Sequence, residues 1–303
     1  MQSQVLVSVI VPTYRREEKY LRRALLSLVN QTHQSIEVVV VDDNPDKDMQ
    51  ARMLNVVHEF GDPRIRYIKN ESVHNAAGAR NTGILACKGT YITFLDDDDA
   101  YLTEKVESQL KFMQENKLDM CLTDLGLYSE QDKLVDFRQH DYLQAFDRDA
   151  LLKAHIMYHL TGTPTFMFKA DKLKAIGNFD IHPLSEEYYL MEKAITSDLK
   201  IGYQPGSLVK AYRHNDGGES FSSHKIAGEK ALYQSKHAYF KLLNRSEIRF
   251  VRFRHYAVMA ISYYRLKKPF LAVINLVTAF LSAPLAALKQ AFRFIKLKRD
   301  HHA

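Results

Sequence analysis

The amino-acid sequence predicts an α/β domain built on a mostly parallel sheet, followed by a helical, basic C-terminal extension. Three observations predict it. Apolar, β-branched runs alternate with helix-period segments four times over about the first hundred residues. Three of those runs end in polar clusters, at Pro12 to Tyr14, Asp42-Asp43 and Asp96 to Asp99. Charge is also divided along the chain: residues 241–303 hold 13 Lys/Arg and 2 Asp/Glu, a net of +11, whereas residues 1–240 hold 29 and 34, a net of −5. With 303 residues, 46% of them hydrophobic, the chain is long enough to bury a catalytic-sized core with a smaller appendage.

Val5 to Val11 reads as a strand closed by Pro12. Glu18 to Asn30 has helical spacing, with Leu21, Leu25 and Leu28 on one face. Ile36 to Val41 is a continuous apolar run, as for a strand covered on both faces, and it stops at the turn sequence Asp42-Asp43-Asn44-Pro45. Met49 to Phe60 reads as a helix, Ile65 to Ile68 as a short strand, Ala76 to Cys87 as a helix with two glycines, and Tyr91 to Leu95 as a strand. Leu102 to Glu115 reads as a helix and Met120 to Tyr128 as a strand, while Asp132 to Leu160 carries no clear period. Thr163 to Phe168 is expected as a strand, with a helix from Asp171 and a turn at Gly177-Asn178. Leu184 to Ser197 is expected as a helix opened by Ser185, with acidic residues in its first turn. Gly202 to Tyr212 reads as a strand, Asn215 to Ser223 as a polar loop, and the remainder as helical.

Ligands of such sheets gather beyond the carboxyl ends of the strands. The run Asp96-Asp97-Asp98-Asp99 follows an apolar strand directly. Four adjacent carboxylates repel unless a cation or solvent relieves them, and a hard divalent ion such as Mg²⁺ or Mn²⁺ takes oxygen ligands of this kind. An exposed acidic turn is the simpler alternative. Asp43 beyond its strand suits hydrogen bonding to a base or ribose, although Asp-Asn-Pro is also ordinary turn sequence. Arg80, in Gly78-Ala79-Arg80-Asn81-Thr82-Gly83, could face an anionic or planar ligand, or simply lie on a helix surface. Glu186 and Glu187 could divide the work of orienting an acceptor and taking its proton, or merely favour a helix N-terminus. His214, in Tyr212-Arg213-His214-Asn215, could ligate a metal, though a lone histidine is more often structural.

Together these motifs resemble the family 2 glycosyltransferases, which have the GT-A fold. The residues carrying the match are Val7 to Tyr14, Val40-Val41-Asp42-Asp43-Asn44, Ala79-Arg80-Asn81-Thr82-Gly83, Tyr91 to Asp99, and Phe179-Asp180 followed by Glu186-Glu187. The resemblance implies a Rossmann-like catalytic domain over residues 1–225, with a nucleotide-binding half over 1–100 and an acceptor half over 101–225. A helical extension then fills 226–303. It implies that Pro12 and Tyr14 line the nucleotide pocket, that Asp43 contacts a base, most often uracil, and that Arg80 lies near the nucleotide. It places Asp96 and Asp97 near the ribose or metal waters, Asp98 as ligand of Mn²⁺ or Mg²⁺, and Glu187 as catalytic base beside Glu186. The implied reaction is inverting transfer from a nucleotide-diphosphate sugar to a glycan or lipid-linked acceptor, as in bacterial surface-polysaccharide synthesis. The sequence departs from the family pattern at Arg15, where Asn is common, and at Glu186-Glu187, where Glu-Asp is usual. Gly78 also stands closer to Ala-Arg-Asn than the family's glycine does.

Two rival readings remain at this level. A nucleotidyltransferase also joins an α/β domain to metal carboxylates, but Thr13-Tyr14-Arg15-Arg16 lacks the glycines of its phosphate loop. A non-enzymatic membrane or nucleic-acid binder would rely on the basic tail, yet the tail carries no nucleic-acid motif and no nucleic acid is expected. Residues 269–288 are uncharged and mostly apolar, and Lys289, Arg293, Lys296, Lys298 and Arg299 follow, interleaved with Phe292, Phe294, Ile295 and Leu297. Helices packed on the catalytic domain and touching a membrane surface through 241–303 are expected rather than a true span, with a purely soluble helical hairpin as the equal alternative. With two cysteines and no signal-peptide pattern, the expected location is cytoplasmic, peripheral on the inner face of the membrane.

Overall fold

The computed structural model describes residues 5–182, 184–213 and 224–288. They form two compact units. The first comprises residues 1–146, 161–181 and 186–213 and contains one nine-stranded sheet.

The sheet's parallel half runs in the order β3 (Ile65–Lys69), β2 (Ile36–Asp42), β1 (Val7–Thr13), β4 (Tyr91–Phe94). Val9 pairs with Val38 on one side and Thr93 on the other. Strand β2 is buried at every position, which is why its apolar run is unbroken. Helix α1 (Glu18–Val29) buries Leu21, Ala24, Leu25 and Leu28. Asp46 caps helix α2 (Lys47–Phe60) by accepting from Met49 N, and Gly61 ends it at a left-handed φ of 56°. Asn75 caps helix α3 (Ala76–Ala86) through Gly78 N. Gly83 lets this helix lie on β1, because a Cβ there would collide with the Ile10 side chain.

Beyond β4 the sheet is mixed rather than mostly parallel. The order continues β8 (Met167–Lys169), β6 (Met120–Tyr128), β9 (Ile201–Tyr212), β5 (Ala100–Tyr101), with β7 (Leu134–Arg138) paired to β6. Strand β8 is antiparallel to both β4 and β6, whereas β6 and β9 are parallel. The strand expected over 163–168 is instead a 3-10 turn, Thr163–Thr165, before β8. Pro164 lacks the N–H that a strand interior would donate. Helix α4 (Lys105–Glu115) starts after β5, and α6 (Ala170–Ala175) and α7 (Glu186–Thr196) complete the unit. Lys105 is fully buried on α4 and donates to Thr93 and to the Tyr101 hydroxyl, beneath the end of β4. Both cysteines are buried and unbridged.

The second unit gathers residues 147–160, 182–185 and 214–303. Its helices are α5 (Arg148–Tyr158), α8 (His224–Lys236), α9 (Arg245–Arg265) and α10 (Pro269–Ser282). A capping box between Asn244 and Glu247 starts α9. Ile156 and Met157 pack with Leu243 and Val251 to form its core. Among the described residues no helix is long and apolar enough to cross a membrane.

Candidate active site

Parallel pairing of β2, β1 and β4 brings their carboxyl ends to one sheet edge, and the three polar clusters follow from it. Asp43 N donates to Thr13 O at 2.9 Å and Leu95 N to Ile10 O at 3.0 Å, which continues the ladder into the loops. Tyr14 is 48% exposed at this edge, and the Arg15 guanidinium lies 5.1 Å from its ring centre. Arg15 holds φ 47°, and its amide donates to Asn44 Oδ1 at 2.6 Å, so Asn44 stabilises a backbone turn that few side chains adopt.

The two aspartates ending β2 separate by their partners. Asp42 is consumed by the fold: Oδ1 accepts from Asn44 N and Nδ2 at 2.7 Å, and Oδ2 from the Tyr67 hydroxyl at 2.5 Å. Asp43 is also buried, but among the described residues only its Oδ1 is used, by Asn70 Nδ2 at 2.6 Å and His74 Nδ1 at 2.7 Å. Asn70 is in turn fixed by Thr82, whose hydroxyl donates to Asn70 Oδ1. Asp43 is therefore an oriented carboxylate with one oxygen left over, the arrangement a base N–H would need. His74 and Asn70 did not stand out in the sequence. The β3–α3 loop in which they lie is where the glycine spacing departs from the family pattern.

The acidic run also resolves by environment. Asp99 accepts from Tyr212 N at 2.9 Å and is buried, so it joins the end of β9 to the loop after β4. Burial, then the charges of Asp96 and Asp98, push its carboxyl well above the usual range. Arg23 donates to the Asp98 carbonyl, and its guanidinium lies 3.5 Å from the Tyr212 ring centre, which clamps the same corner. Arg16 reaches Asp97 Oδ1 at 2.9 Å and Asp98 Oδ2 at 2.8 Å. Burial foremost, and the neighbouring Asp98, push Asp97 up to about 7 even though Arg16 opposes the shift. Among the described residues no three His, Cys, Asp or Glu side chains are grouped to hold an ion by themselves. Carboxylates of this kind suit a divalent cation whose remaining ligands are waters and substrate phosphates, a usual arrangement for Mg²⁺.

Arg80 lies at the centre of the site. Its side chain is 7% exposed, with NH2 2.7 Å from Asp96 Oδ1 and NH1 2.7 Å from Glu186 Oε1. It also stands 5.5 Å from the Phe179 ring centre. Next to it, Asn81 exchanges two hydrogen bonds with the Phe179 backbone, at 2.8 and 3.0 Å. The Ala-Arg-Asn segment of α3 thereby fixes the chain that leads towards the glutamates. Glu186 is tied to Arg80, and Glu187 is not. Burial first, then the charge of Glu186, raise Glu187 to about 7, with Arg80 opposing. A carboxylate so shifted is suited to accept a proton near neutral pH. Arg80→Ala would strand two carboxylates, so a loss of about 3 kcal/mol is expected, at the low end for a buried pair because Asp96 keeps solvent access. Urea unfolding would measure it, and a change within about 0.5 kcal/mol, the range of surface substitutions, would contradict the bridge.

Of the sequence-derived candidates, Pro12, Tyr14, Asp43, Arg80, Asp96, Asp97, Asp98, Glu186 and Glu187 all fall in the first unit. Direct contacts join Arg80 to Asp96 and Glu186, whereas Asp43 belongs to a separate network with Asn70 and His74. His214 and the basic segment 289–303 lie outside the described residues. Arg16 and Arg23 were missed, although the position of Arg16 in the basic loop just after β1 was a usable signal; Arg23 lies on α1.

A family model described as glycosyl transferase family 2 matches residues 8–175. An uncharacterized glycosyltransferase of Methanocaldococcus jannaschii is 29% identical over 207 residues, 68% of this chain and 70% of that protein. The Escherichia coli enzyme WfgD, a UDP-Glc:alpha-D-GlcNAc-diphosphoundecaprenol beta-1,3-glucosyltransferase, is 36% identical over 113 residues, which is 37% of this chain and 43% of that enzyme. Among solved structures, Staphylococcus aureus TarS in complex with UDP-GlcNAc aligns at TM-score 0.60 and 19% identity over 91% of this chain and 92% of that one. The Pyrobaculum calidifontis mannosyltransferase PcManGT, with GDP-Man and Mn²⁺, aligns at TM-score 0.60 and 16% identity over 98% and 81%. The match spans more than half of the chain, from β1 through α6, and the fold is GT-A: the chain belongs to glycosyl transferase family 2 and is a glycosyltransferase.

Proposed function

We propose that this chain transfers a sugar, with inversion, from a UDP-sugar to a hydroxyl of a glycan or lipid-linked acceptor in cell-surface polysaccharide synthesis. The observation that carries the reading is the cluster in which one buried arginine joins Asp96 to Glu186, beside a Glu187 carboxyl raised to about 7 that this arginine does not hold. WfgD, a relative over part of the chain, is named for a UDP-sugar donor and a diphosphoundecaprenol-linked acceptor. That supports the donor and acceptor classes.

In this reading Tyr14 and Pro12 form the wall of the nucleotide pocket, and the free oxygen of Asp43 accepts the imino N–H of the base. Asp96 and Asp97 face the ribose. Asp98 would hold Mn²⁺ or Mg²⁺, which would supply Lewis-acid neutralisation of the diphosphate. Arg16, already on Asp97 and Asp98, adds a fixed positive charge at the same end. Glu187 takes the proton of the acceptor hydroxyl, whose oxygen bonds to the anomeric carbon from the face opposite the nucleotide. The bond from that carbon to the diphosphate breaks, and nucleoside diphosphate leaves with both electrons. Arg80 keeps Glu186 and Asp96 in register and so positions both halves of the site. The basic segment 241–303 contacts the anionic inner face of the membrane, where lipid-linked acceptors reside.

Thermal-shift measurements with UDP-, GDP-, dTDP- and ADP-sugars, each with Mn²⁺, test the donor class. UDP-sugars are expected to stabilise the chain most. Release of pyrophosphate instead of nucleoside diphosphate would overturn the reaction assigned. His74→Ala is expected to weaken UDP binding about fivefold, the worth of one hydrogen bond orienting Asp43. Titration calorimetry would show it, and an unchanged affinity would remove His74 from the pocket.

A further inference from the structure

We propose that helix α10 lies in the surface of an anionic phospholipid membrane, its large apolar side chains inserted into one leaflet and its basic neighbours on lipid phosphates. This deepens the membrane contact proposed above and gives it a chemical mode, insertion rather than charge attraction alone.

The helix is inverted with respect to an ordinary packed helix. Its buried residues are the small ones, Ala272 and Ala279, seven apart on one narrow stripe. Its large residues point outward: Phe270 is 76% exposed, Leu281 67% and Leu276 61%, with Val273, Val277 and Phe280 also exposed. A helix of a water-soluble bundle buries its large apolar side chains and shows charge to solvent; α10 carries no charged residue at all.

The polar side chains fit the same surroundings. Asn275 donates to Leu271 O, Thr278 to Ile274 O and Ser282 to Thr278 O, each at 2.8 Å and each one turn back on the same helix. Such back-bonding satisfies a polar group without water, which is what an apolar medium demands. At 14 residues the helix is about 21 Å long, short of the roughly 30 Å hydrocarbon core, so it can lie in the interface but not cross it.

Charge decides the occupant. Lys267 and Lys268 are exposed immediately before α10, and Arg249 and Arg252 line a depression with Thr278, Leu281 and Ser282 at its far end. Arg249 donates to Ser282 O at 2.8 Å, which keeps its guanidinium beside the apolar face. An apolar strip bounded at both ends by cations, in a segment of net charge +11, matches anionic lipid. A second copy of the same surface would bring these cations together.

The chain contains no tryptophan, so Phe280→Trp gives a single fluorescent reporter in the full-length protein. With vesicles of phosphatidylglycerol and phosphatidylethanolamine its emission is expected to move to shorter wavelength. The partition coefficient should be at least tenfold lower on pure phosphatidylcholine. Val273→Glu with Leu276→Glu, added to the reporter, should lower partitioning at least tenfold while the circular dichroism spectrum stays unchanged. Three results would overturn the proposal: no shift on anionic vesicles, a reporter already at short wavelength in buffer, or a shift that follows protein concentration together with a doubled mass. Because the readout needs no donor, vesicle binding without nucleotide binding would count against the transferase site assignments and leave this inference standing. Nucleotide binding without vesicle binding would do the reverse.

Discussion

Asp98→Ala is expected to lower sugar transfer by about a thousandfold. Lewis-acid stabilisation of a departing diphosphate is worth several kcal/mol, and each 1.36 kcal/mol is tenfold in rate. The fold should survive, because Asp97 still holds Arg16 at 2.9 Å and the backbone carbonyl that Arg23 grips remains in the variant. Mn²⁺ should no longer improve nucleoside-diphosphate affinity in the variant, whereas binding without metal should change little. Asp99→Ala is the instructive control. It removes the acceptor for Tyr212 N and should unfold at a lower temperature, with activity lost in proportion to folded protein. If Asp98→Ala retains full transfer, or if the two variants exchange behaviours, the metal role moves by a residue within the run.

That distinction between Asp98 and Asp99 could not be read from the sequence, and the reason is physical. Four identical residues in a row carry no internal contrast. The contrast comes from Tyr212, which lies 113 positions away and reaches Asp99 only because β9 runs back beside β5. Arg80 presents the same problem. Its motif suggested a ligand-facing guanidinium, but the partners that occupy it, Asp96 and Glu186, lie 16 and 106 positions away. What was legible is what local chemistry dictates. The strands β1, β2 and β4 are apolar runs that end in turn residues, so their carboxyl edge and the polar clusters on it could be placed. The far half of the sheet was less so. Strands β5, β7 and β8 have two, five and three residues, too few for a period to register, and the apolar Phe166 to Phe168 made the turn at Pro164 read as part of a strand.

Glu187→Gln is expected to lower kcat by about 10²- to 10⁴-fold, the usual contribution of a positioned base, with little change in donor affinity. Wild-type kcat/KM should rise with pH through about 7 as Glu187 loses its proton, and that limb should vanish in the variant. Stability should move the opposite way. The folded chain holds the Glu187 proton up to about 7, whereas an ordinary glutamate releases it near 4.5. Folding is therefore favoured by this group below 4.5, and the benefit is lost as pH rises to 7. Above 7 the fold must keep a desolvated charge beside Glu186. Glutamine preserves the shape without the charge, so the variant should melt above the wild type at pH 8, and the gap should close as pH falls towards 4.5. Melting curves across that range decide the matter, together with the kinetic profile. A variant that is less active but no more stable at pH 8 would mean that Glu187 is solvated and its pKa ordinary, whereas a variant of unchanged activity would mean that the proton needs another acceptor. A variant that is more stable and inactive would show a site in which the fold gives up stability to keep a base ready near neutral pH.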